Sequence, residues 1–294
     1  MAARVNSLKS LSSKAWLKAK QFIKRGVPLD DSQWAKLNLL KTLVQRDLEA
    51  RYKGSVLGNL WPILNQLAQL LIYTYVFAIV LRVKLSLKGM PADNSFVFGL
   101  WLFAGLLPWI AFTTGLLQST SAVISQPNLV KKVVFPLTLL PLVPVLSSFL
   151  ESTFGLMVLI TFVAFFTQSI HVTLLLLPIV WLPQLLLSSG LGFLTAGLTV
   201  FIRDIPQTLN VLLNLLFYAT PIIYPTDMIP QPFQPWILWL NPLAVISEMY
   251  REVILVGHVT HWSEWASATA ISSMIFLGSI WCYRKLRPAF ADVL

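Results

Sequence analysis

The chain has 294 residues, of which 56% are hydrophobic and 12% are charged, and it carries a formal net charge of +10. A soluble protein has about 25% charged residues, so this composition excludes an ordinary soluble protein and indicates one that spans membranes. The positive charge does not indicate nucleic-acid binding, because 12 of the 22 Lys and Arg residues precede residue 60 and no basic face on a folded module is visible. The single cysteine excludes an internal disulfide and a multi-cysteine metal site.

The first 58 residues are predicted to precede the membrane spans. Residues 1–29 form a basic leader without a continuous apolar core, so no cleavable signal peptide is expected. Residues 30–58 contain an amphipathic interface helix, which residues 30–32 can cap and whose apolar side chains share one face. This helix is expected either to lie in the cytoplasmic membrane interface or to pack against the cytoplasmic ends of the spans.

Six membrane-spanning helices are predicted within residues 59–285, so the predicted fold class is an all-α integral membrane protein. The apolar runs are 16 to 30 residues long, and about 20 residues, with a range of about 17–25, are needed to cross a bilayer. A cytoplasmic tail, residues 286–294, follows the last span. The predicted spans cover residues 60–81, 96–117, 137–166, 174–201, 209–224 and 266–283.

The distribution of positive residues predicts that both termini are cytoplasmic. With the N-terminus inside, 18 Lys and Arg residues fall on the cytoplasmic side and 4 fall outside, which is the bias that the positive-inside rule requires. The prediction rests mainly on the N-terminal region, which holds most of the 18. The four outside residues are Arg82, Lys84, Lys88 and Arg251.

The segment between the fifth and sixth spans, residues 221–258, is predicted to contain re-entrant helices. It has six prolines within residues 221–242, mixed with large apolar side chains. It is therefore too apolar for a solvated loop and too interrupted for a span. Short helices that enter the outer leaflet and return satisfy both facts, provided that protein covers their backbone.

One acidic residue is predicted at bilayer depth. Glu151 falls near the middle of the third span, where a charge costs about 2.5–3.5 kcal/mol. No Lys or Arg within the spans is evident as its partner. Glu151 is therefore expected to face other helices or a water-filled pore, either in a structural hydrogen bond or in contact with a substrate.

Short motifs follow one another in a characteristic order along the chain. They are LVQRDLEARYKGSVLG at residues 43–58, then Trp61 and Pro62, residues 128–132 with Phe135 and Pro136, Arg203 with Asp204, residues 221–225, residues 241–243, and Tyr250 with Arg251. In this order and spacing the chain resembles the permease subunit of ABC transporters that export polysaccharides such as O-antigen, capsule and teichoic acid. The resemblance covers residues 35–285.

The resemblance implies a homodimer of six-span subunits, joined to two copies of a cytoplasmic ATP-binding subunit, in the cytoplasmic (inner) membrane of a bacterium. The implied substrate is a lipid-linked glycan. The chain itself is not expected to be an enzyme, because it contains no G-x-x-x-x-G-K-[ST] phosphate-binding loop. No cofactor is expected on it, and ATP and Mg would be bound by the partner subunit.

The resemblance also implies which residues contact the ATP-binding subunit. The loop between the second and third spans would form a coupling helix over residues 126–134, whose two lysines pair with acidic residues of the partner. The lysines could instead serve only as positive-inside anchors. The implied contact residues are Gln126, Asn128, Leu129, Val130, Lys131 and Lys132 in this loop, and Arg46, Asp47 and Arg51 in the interface helix.

Two further sets of residues have a functional and an ordinary interpretation. Arg203 and Asp204 at the end of the fourth span would form an ion pair or a helix cap, or would stabilise a bend that moves with the coupling helix. Amides in the first and fifth spans, such as Gln66, Gln69 and Asn210, would bond between helices or meet sugar hydroxyls.

Aromatic rings are the expected surface for a sliding sugar chain, although lipid-interface belts and packing explain most aromatic residues of a membrane protein. The candidates for the glycan path are Tyr73, Tyr75, Phe77, Trp101, Trp109 and Tyr218.

Three alternative functions stay open. A related permease could export a smaller lipid or a drug, and a protein of another class could be a membrane-embedded glycosyltransferase or acyltransferase. The enzyme alternative needs a catalytic or metal set, and only His258 and His261, followed by Glu264, offer a weak one. The third alternative is a scaffold that does not transport, which would tolerate substitution of residues 128–132.

Overall fold

The computed structural model describes residues 30–81, 96–132, 135–167 and 170–294. Within these ranges the chain is helical and contains no β-strand, as the sequence predicts. The predicted leader, residues 1–29, lies outside the described ranges, as do Arg82, Lys84 and Lys88.

Helices of very different lengths follow one another through the described ranges. The α-helices are α1 (Asp31–Arg51), α2 (Trp61–Tyr73), α3 (Phe96–Ser121), α4 (Pro127–Lys132), α5 (Leu139–Thr167), α6 (Leu177–Thr199), α7 (Ile205–Ala219), α8 (Gln234–Leu240), α9 (Pro242–Arg251), α10 (Trp262–Leu286) and α11 (Phe290–Val293). Two π-helical segments continue α2 (Thr74–Val80) and α9 (Glu252–Val256), and 3-10 turns occur at Gly58–Leu60, Val172–Leu176, Thr226–Met228 and Arg287–Ala289.

Four helical segments of the described chain are long and apolar enough to cross a membrane, namely Val97–Ser121, Leu139–Phe166, Val172–Thr199 and Trp262–Val293. They correspond to the second, third, fourth and sixth predicted spans. The first predicted span is divided between α2 and its π-helical continuation. The fifth is α7, whose 15 residues extend about 22 Å, less than the ~30 Å of a bilayer core. The structure therefore shows a multi-span protein, and the number six stays a prediction.

The chain divides into two compact units, residues 1–43 and 44–294, and the boundary falls within α1. In the first unit, the described residues begin at the predicted helix cap. The Asp30 carboxylate accepts from the Asp31 amide at 2.8 Å, and the Gln33 side chain accepts from the Asp30 amide at 3.1 Å. This reciprocal arrangement satisfies amides that the first helical turn leaves without partners. It explains why α1 begins where the sequence predicts.

In the second unit, α3 is the central helix. Its apolar side chains are almost all buried, and it packs against α5, α6 and α9. Helix α6 also packs along α10, and Gly190 allows this close approach. A Cβ atom at Gly190 would lie 2.8 Å from the Cα atom of Phe276, so a small residue is needed where the two backbones meet.

Arg251, at the end of α9, is buried in this core with 1% of its surface exposed. Its guanidinium donates to the Pro221 carbonyl at 2.9 Å, to the Ile222 carbonyl at 2.6 Å and to the Glu248 carboxylate at 2.7 Å. It also lies over the Trp101 ring, 3.5 Å from the ring centroid. The charge count that assigned Arg251 to the outer surface is therefore corrected, because this charge is neutralised inside the protein and does not face the membrane exterior.

Candidate functional site

The candidate site is built around Arg51, the last residue of α1. Its Nη1 donates to Glu151 Oε2 at 2.8 Å, and its Nε and Nη2 donate to Asp47 Oδ2 at 3.1 and 3.0 Å. Asp47 lies one turn earlier on α1, and residues four apart are neighbours on a helix surface. Glu151 comes from α5, 100 positions later in the chain. One guanidinium therefore joins two carboxylates from two helices.

Three more side chains complete this cluster. The Tyr52 hydroxyl donates to the other Glu151 oxygen. Burial raises the pKa of Tyr52, and the hydrogen bond to Glu151 raises it further, so Tyr52 keeps its proton and acts as a donor. Arg51 Nη2 also donates to the Gln118 side-chain oxygen of α3 and, at 3.4 Å, to Ser148 Oγ of α5. The cluster connects the end of α1 to α3 and α5, and we call it the Arg51 cluster.

The Arg51 cluster gives Glu151 a basic partner from outside the spans, where no partner was sought. The partner lies on α1, ahead of the first span, so an inspection of the spans alone misses it. The side chains of Arg51 and Glu151 are only 16% and 18% exposed, and removal of one partner from a shielded ion pair is strongly unfavourable. Arg46, in contrast, is exposed. The predicted contacts of Arg46, Asp47 and Arg51 with an ATP-binding subunit stay predictions.

A polar cavity of about 320 Å³ adjoins the Arg51 cluster, between α2, α3 and α5. Glu151 and Ser148 belong both to the Arg51 cluster and to the lining of the cavity. Gln66 and Gln69 of α2 line the cavity, and their buried side-chain oxygens accept no hydrogen bond from any residue that the structure describes. An unmet buried acceptor costs about 1–3 kcal/mol. The described lining residues are Asn65, Gln66, Ala68, Gln69, Ile72, Ile110, Ala111, Thr114, Ser148, Glu151 and Ser152.

The predicted coupling helix is present in part as α4. The Gln126 carbonyl accepts from the amides of Leu129 and Val130 at 3.1 and 3.3 Å, which starts the helix. Asn128 and Lys131 are exposed, so both can reach another protein. The end of the predicted segment, Val133 and Val134, and the side chain of Lys132 lie outside the described residues.

The apolar side of α4 is held by a second hydrophobic cluster. Leu129 and Val130 are partly buried against it, and it includes Tyr283 of α10 and Phe290 of α11. The Tyr283 hydroxyl donates to the Leu137 carbonyl at 2.9 Å, which connects α10 to the segment that follows α4. A displacement of α4 would therefore act on α10 and on the start of α5.

Arg203 and Asp204 occupy the turn before α7, and both are exposed. Asp204 is the N-cap residue of α7, but its carboxylate makes no capping hydrogen bond, and its carbonyl accepts from the Thr208 amide at 3.0 Å. Among the described residues no ion pair joins Arg203 to Asp204. The ion-pair alternative is therefore corrected, whereas Asp204 does lie at the predicted cap position and caps α7 without its side chain. A role in a moving bend stays a prediction.

The six aromatic candidates for the glycan path differ in burial. Trp101 and Trp109 are 5% and 8% exposed. The Arg251 guanidinium covers the Trp101 ring, and Phe217 packs 5.4 Å from the Trp109 ring. Neither ring offers a face to a sugar in this conformation. The remaining candidates are Tyr73 and Phe77, which are partly buried on the core, and Tyr75 and Tyr218, which are exposed.

The weak histidine set does not assemble into a metal site. His261 Nδ1 lies 2.8 Å from the Glu252 carboxylate, which also accepts from the Thr260 amide at 3.1 Å. No group of three possible ligands occurs among the residues that the structure describes. The sequence did not indicate this Glu252–His261 pair, because Glu252 lies in the π-helical continuation of α9 and His261 lies nine positions later, just before α10.

Comparison with known proteins assigns the chain to a family. Residues 38–255 match the ABC-2 type transporter family. The chain is 31% identical to an O-antigen export system permease protein RfbA of Klebsiella pneumoniae, over 87% of this chain and 95% of that protein. It is 30% identical to an O-antigen export system permease protein RfbA of Myxococcus xanthus, over 86% of this chain and 94% of that protein.

A more distant relative is a transport protein for polysialic acid. The chain is 27% identical to the polysialic acid transport protein KpsM of Escherichia coli, over 75% of this chain and 83% of that protein. The family match begins within α1 and ends just after α9, so it includes the Arg51 cluster, α4 and the Arg251 core. This chain belongs to the ABC-2 type transporter family and is a membrane permease rather than a catalytic subunit.

Proposed function

We propose that this chain is the permease subunit of an exporter that moves a lipid-linked polysaccharide across the cytoplasmic membrane, driven by ATP hydrolysis in a separate subunit. The observation that carries the proposal is the similarity to O-antigen export permeases over almost their whole length. The relative that transports polysialic acid supports a polysaccharide over a small molecule. Two copies of the chain would pair and bind two ATP-binding subunits.

The proposal includes six spans. Helix α2 and its π-helical continuation together run from Trp61 to Val80, which is about 30 Å of helix and matches the bilayer core. The shorter α7 supplies the fifth span, and α8 and α9 form the re-entrant segment that follows it. Both termini are then cytoplasmic, which places α4 and the end of α1 on the side of the ATP-binding subunit.

Two contacts would transmit the motion of the ATP-binding subunit. The exposed side of α4 would bind it, and the second hydrophobic cluster would transfer a displacement of α4 to α10. The end of α1 would move with the same partner, and the Arg51 cluster would transfer that motion to α5. Both routes end on helices that could open a path between two subunits.

The test combines a gene deletion with a charge reversal on α4. In cells that lack the gene, lipid-linked glycan is expected to accumulate inside and to disappear from the surface. The variant Lys131→Glu/Lys132→Glu is expected to reach the membrane, to lose the ATP-binding subunit in a pull-down and to export less than about a tenth of the wild-type glycan, since loss of a few charged contacts weakens binding by several kcal/mol.

Arg284→Glu serves as the matched control. It reverses an exposed charge at the end of α10, on the same predicted side of the membrane and outside the α4 segment, and should retain export. Normal surface glycan in the deletion strain would contradict polysaccharide export. Absence of glycan synthesis would indicate an enzyme, and normal export by the α4 variant would contradict coupling through this helix.

A further inference from the structure

We propose that the polar cavity beside the Arg51 cluster binds a neutral sugar unit of the transported glycan, and not its phosphate. This inference rests on the proposed function and assigns one part of the substrate to one set of residues. The volume of about 320 Å³ lies at the lower end of the range for small-ligand sites, which begins at about 300 Å³. The cavity is therefore large enough for a small sugar unit and too small for a folded stretch of glycan.

The charge of the cavity wall disfavours a phosphate. Glu151 and Asp47 share the one guanidinium of Arg51, so two negative charges and one positive charge leave a formal charge of −1. Among the described lining residues there is no Lys or Arg. Phosphate sites in proteins require positive charge or a cluster of amide donors, and Glu151 would repel a phosphate at this position.

The side chains that line the cavity can form hydrogen bonds with sugar hydroxyls. Each sugar hydroxyl both donates and accepts, and an amide side chain offers the complementary pair of groups. Gln66 and Gln69 carry oxygens without a donor among the described residues, and Gln66 is only 6% exposed. A bound hydroxyl would supply the missing donor. An apolar ligand would leave both acceptors unmet, which disfavours a lipid chain in this cavity.

The remaining wall suits the apolar faces of a sugar ring. Ile72 of α2 and Ile110 of α3 present branched aliphatic surface, and Ala68 and Ala111 keep the space beside them open. A pyranose has C–H groups on its faces and hydroxyls on its rim, so a site with aliphatic surface on one side and amides on the other fits it.

The position of the cavity relates occupancy to the proposed coupling route. Glu151 belongs both to the cavity wall and to the ion pair with Arg51, and Tyr52 donates to the same carboxylate. A sugar hydroxyl that binds Glu151 would compete with these donors. Occupancy would then change how firmly α1 is held to α5.

The test measures binding of two probes to the full-length permease in nanodiscs together with its ATP-binding subunit. One probe is the fluorescently labelled glycan released from the same cells by mild acid, which removes phosphate and lipid. The other is polyprenyl phosphate, which carries no sugar. The double variant Gln66→Leu/Gln69→Leu should bind the glycan about tenfold more weakly, since each lost hydrogen bond weakens binding by a few fold, and should bind polyprenyl phosphate as wild type does.

A second variant avoids dependence on the amides alone. Ala68→Leu narrows the cavity without removal of a polar group and should give the same selective loss. Gln207→Leu changes an exposed amide outside the cavity and should bind both probes normally. The melting temperature and dimer content of each variant are measured alongside, and both should match wild type.

Unchanged glycan binding by the two cavity variants would overturn the inference. Equal loss of both probes, or loss of the dimer or of thermal stability in the amide variant, would also overturn it, because the amides would then pack the subunit. Export measurements in cells distinguish failure of the proposed function from failure of the cavity assignment. If cells without the gene still export glycan, both proposals are wrong. If they do not export it but the cavity variants export at the wild-type rate, only the cavity assignment is wrong.

Discussion

Two arginine–glutamate pairs in this protein have similar chemistry and different surroundings. Arg251 pairs with Glu248 three residues away on the same helix and donates to three backbone carbonyls as well. Arg51 pairs with Glu151 across 100 residues, shares its guanidinium with Asp47, and adjoins a cavity. Arg251 is 1% exposed, whereas the Arg51 side chain is 16% exposed.

This difference in surroundings indicates that the two arginine–glutamate ion pairs have different roles. The Arg251 donors are distributed among fixed carbonyls and one carboxylate inside a packed core, so no alternative partner is within reach. Arg51 has two carboxylates and two further acceptors as partners, and two of these residues, Glu151 and Ser148, also line the cavity. The Arg251 pair is suited to hold the fold, and the Arg51 cluster is suited to change with the transport cycle.

The largest effect is expected at Arg251. Arg251→Met leaves the buried Glu248 carboxylate and the Pro221 and Ile222 carbonyls without their donor, and removal of one partner from a buried ion pair costs about 3–5 kcal/mol. The variant should lose most of its membrane-inserted, folded protein. The measurement is the free energy of unfolding in mixed micelles, together with protein abundance in membranes.

Arg284→Met is the control for Arg251→Met, because Arg284 is exposed at the end of α10 and should change the free energy of unfolding by less than about 0.5 kcal/mol. If Arg251→Met is as stable as this control, the Arg251 pair does not support the fold, and the distinction between the two pairs fails.

A smaller loss of stability and a larger loss of transport are expected at the Arg51 cluster. Arg51→Met should lower the free energy of unfolding by about 1–3 kcal/mol, since Glu151 keeps the Tyr52 donor and partial hydration. Export should fall by more than this loss of folded protein explains, because α1 is no longer joined to α5. Glycan export per folded permease is the measurement.

A double-mutant cycle with Glu151→Gln sharpens this result. The neutral amide removes the charge that Arg51→Met leaves without a partner, so the double variant should regain part of the stability, with a coupling energy of about 0.5–3 kcal/mol. Its export should stay low. Full recovery of export in the double variant would mean that the pair only stabilises the fold, as Arg251 does.

The Glu252–His261 pair offers a third case in which pH can be varied. The hydrogen bond to Glu252 raises the pKa of His261 above 6.5, and the neighbouring acidic groups of Glu248 and Glu264 add to it. Burial opposes ionisation of Glu252, but its hydrogen bonds from His261 and Thr260 lower its pKa below 4.5. These two opposite shifts make the Glu252–His261 pair a source of pH-dependent stability.

The direction follows from the two pKa shifts. A raised histidine pKa contributes stability that is complete below pH 6.5 and is lost as the pH rises through the pKa of the folded protein. A lowered glutamate pKa contributes stability that is complete above pH 4.5 and is lost as the pH falls through its folded value. His261→Asn should therefore lower the melting temperature most near pH 5.5, by an amount equivalent to about 1 kcal/mol, and least near pH 9. A pH-independent difference would contradict the ion pair.

The positions of the long helices could be predicted from the sequence, because apolar runs and helix caps are patterns of neighbouring residues. The long apolar runs predict the four helices of spanning length, and the cap at Asp30 predicts where α1 begins. The partners of Arg51 and Arg251 could not be predicted in the same way. Glu151 is 100 residues from Arg51, and the carbonyls that bind Arg251 belong to a proline-rich turn that carries no polar side-chain signal.

The smallest effect is expected at Arg203 and Asp204, whose adjacency in sequence gave the clearest local signal of a charge pair. Both side chains are exposed and no ion pair joins them in the described structure, so Arg203→Ala or Asp204→Ala should change the free energy of unfolding by less than about 0.5 kcal/mol. The same micelle assay measures it. A loss of more than about 1 kcal/mol in the free energy of unfolding would contradict this expectation. Exposed charges that are adjacent in sequence would then stabilise the fold as much as the buried ion pairs do. Loss of export without loss of stability would instead support the predicted role in a bend between α6 and α7.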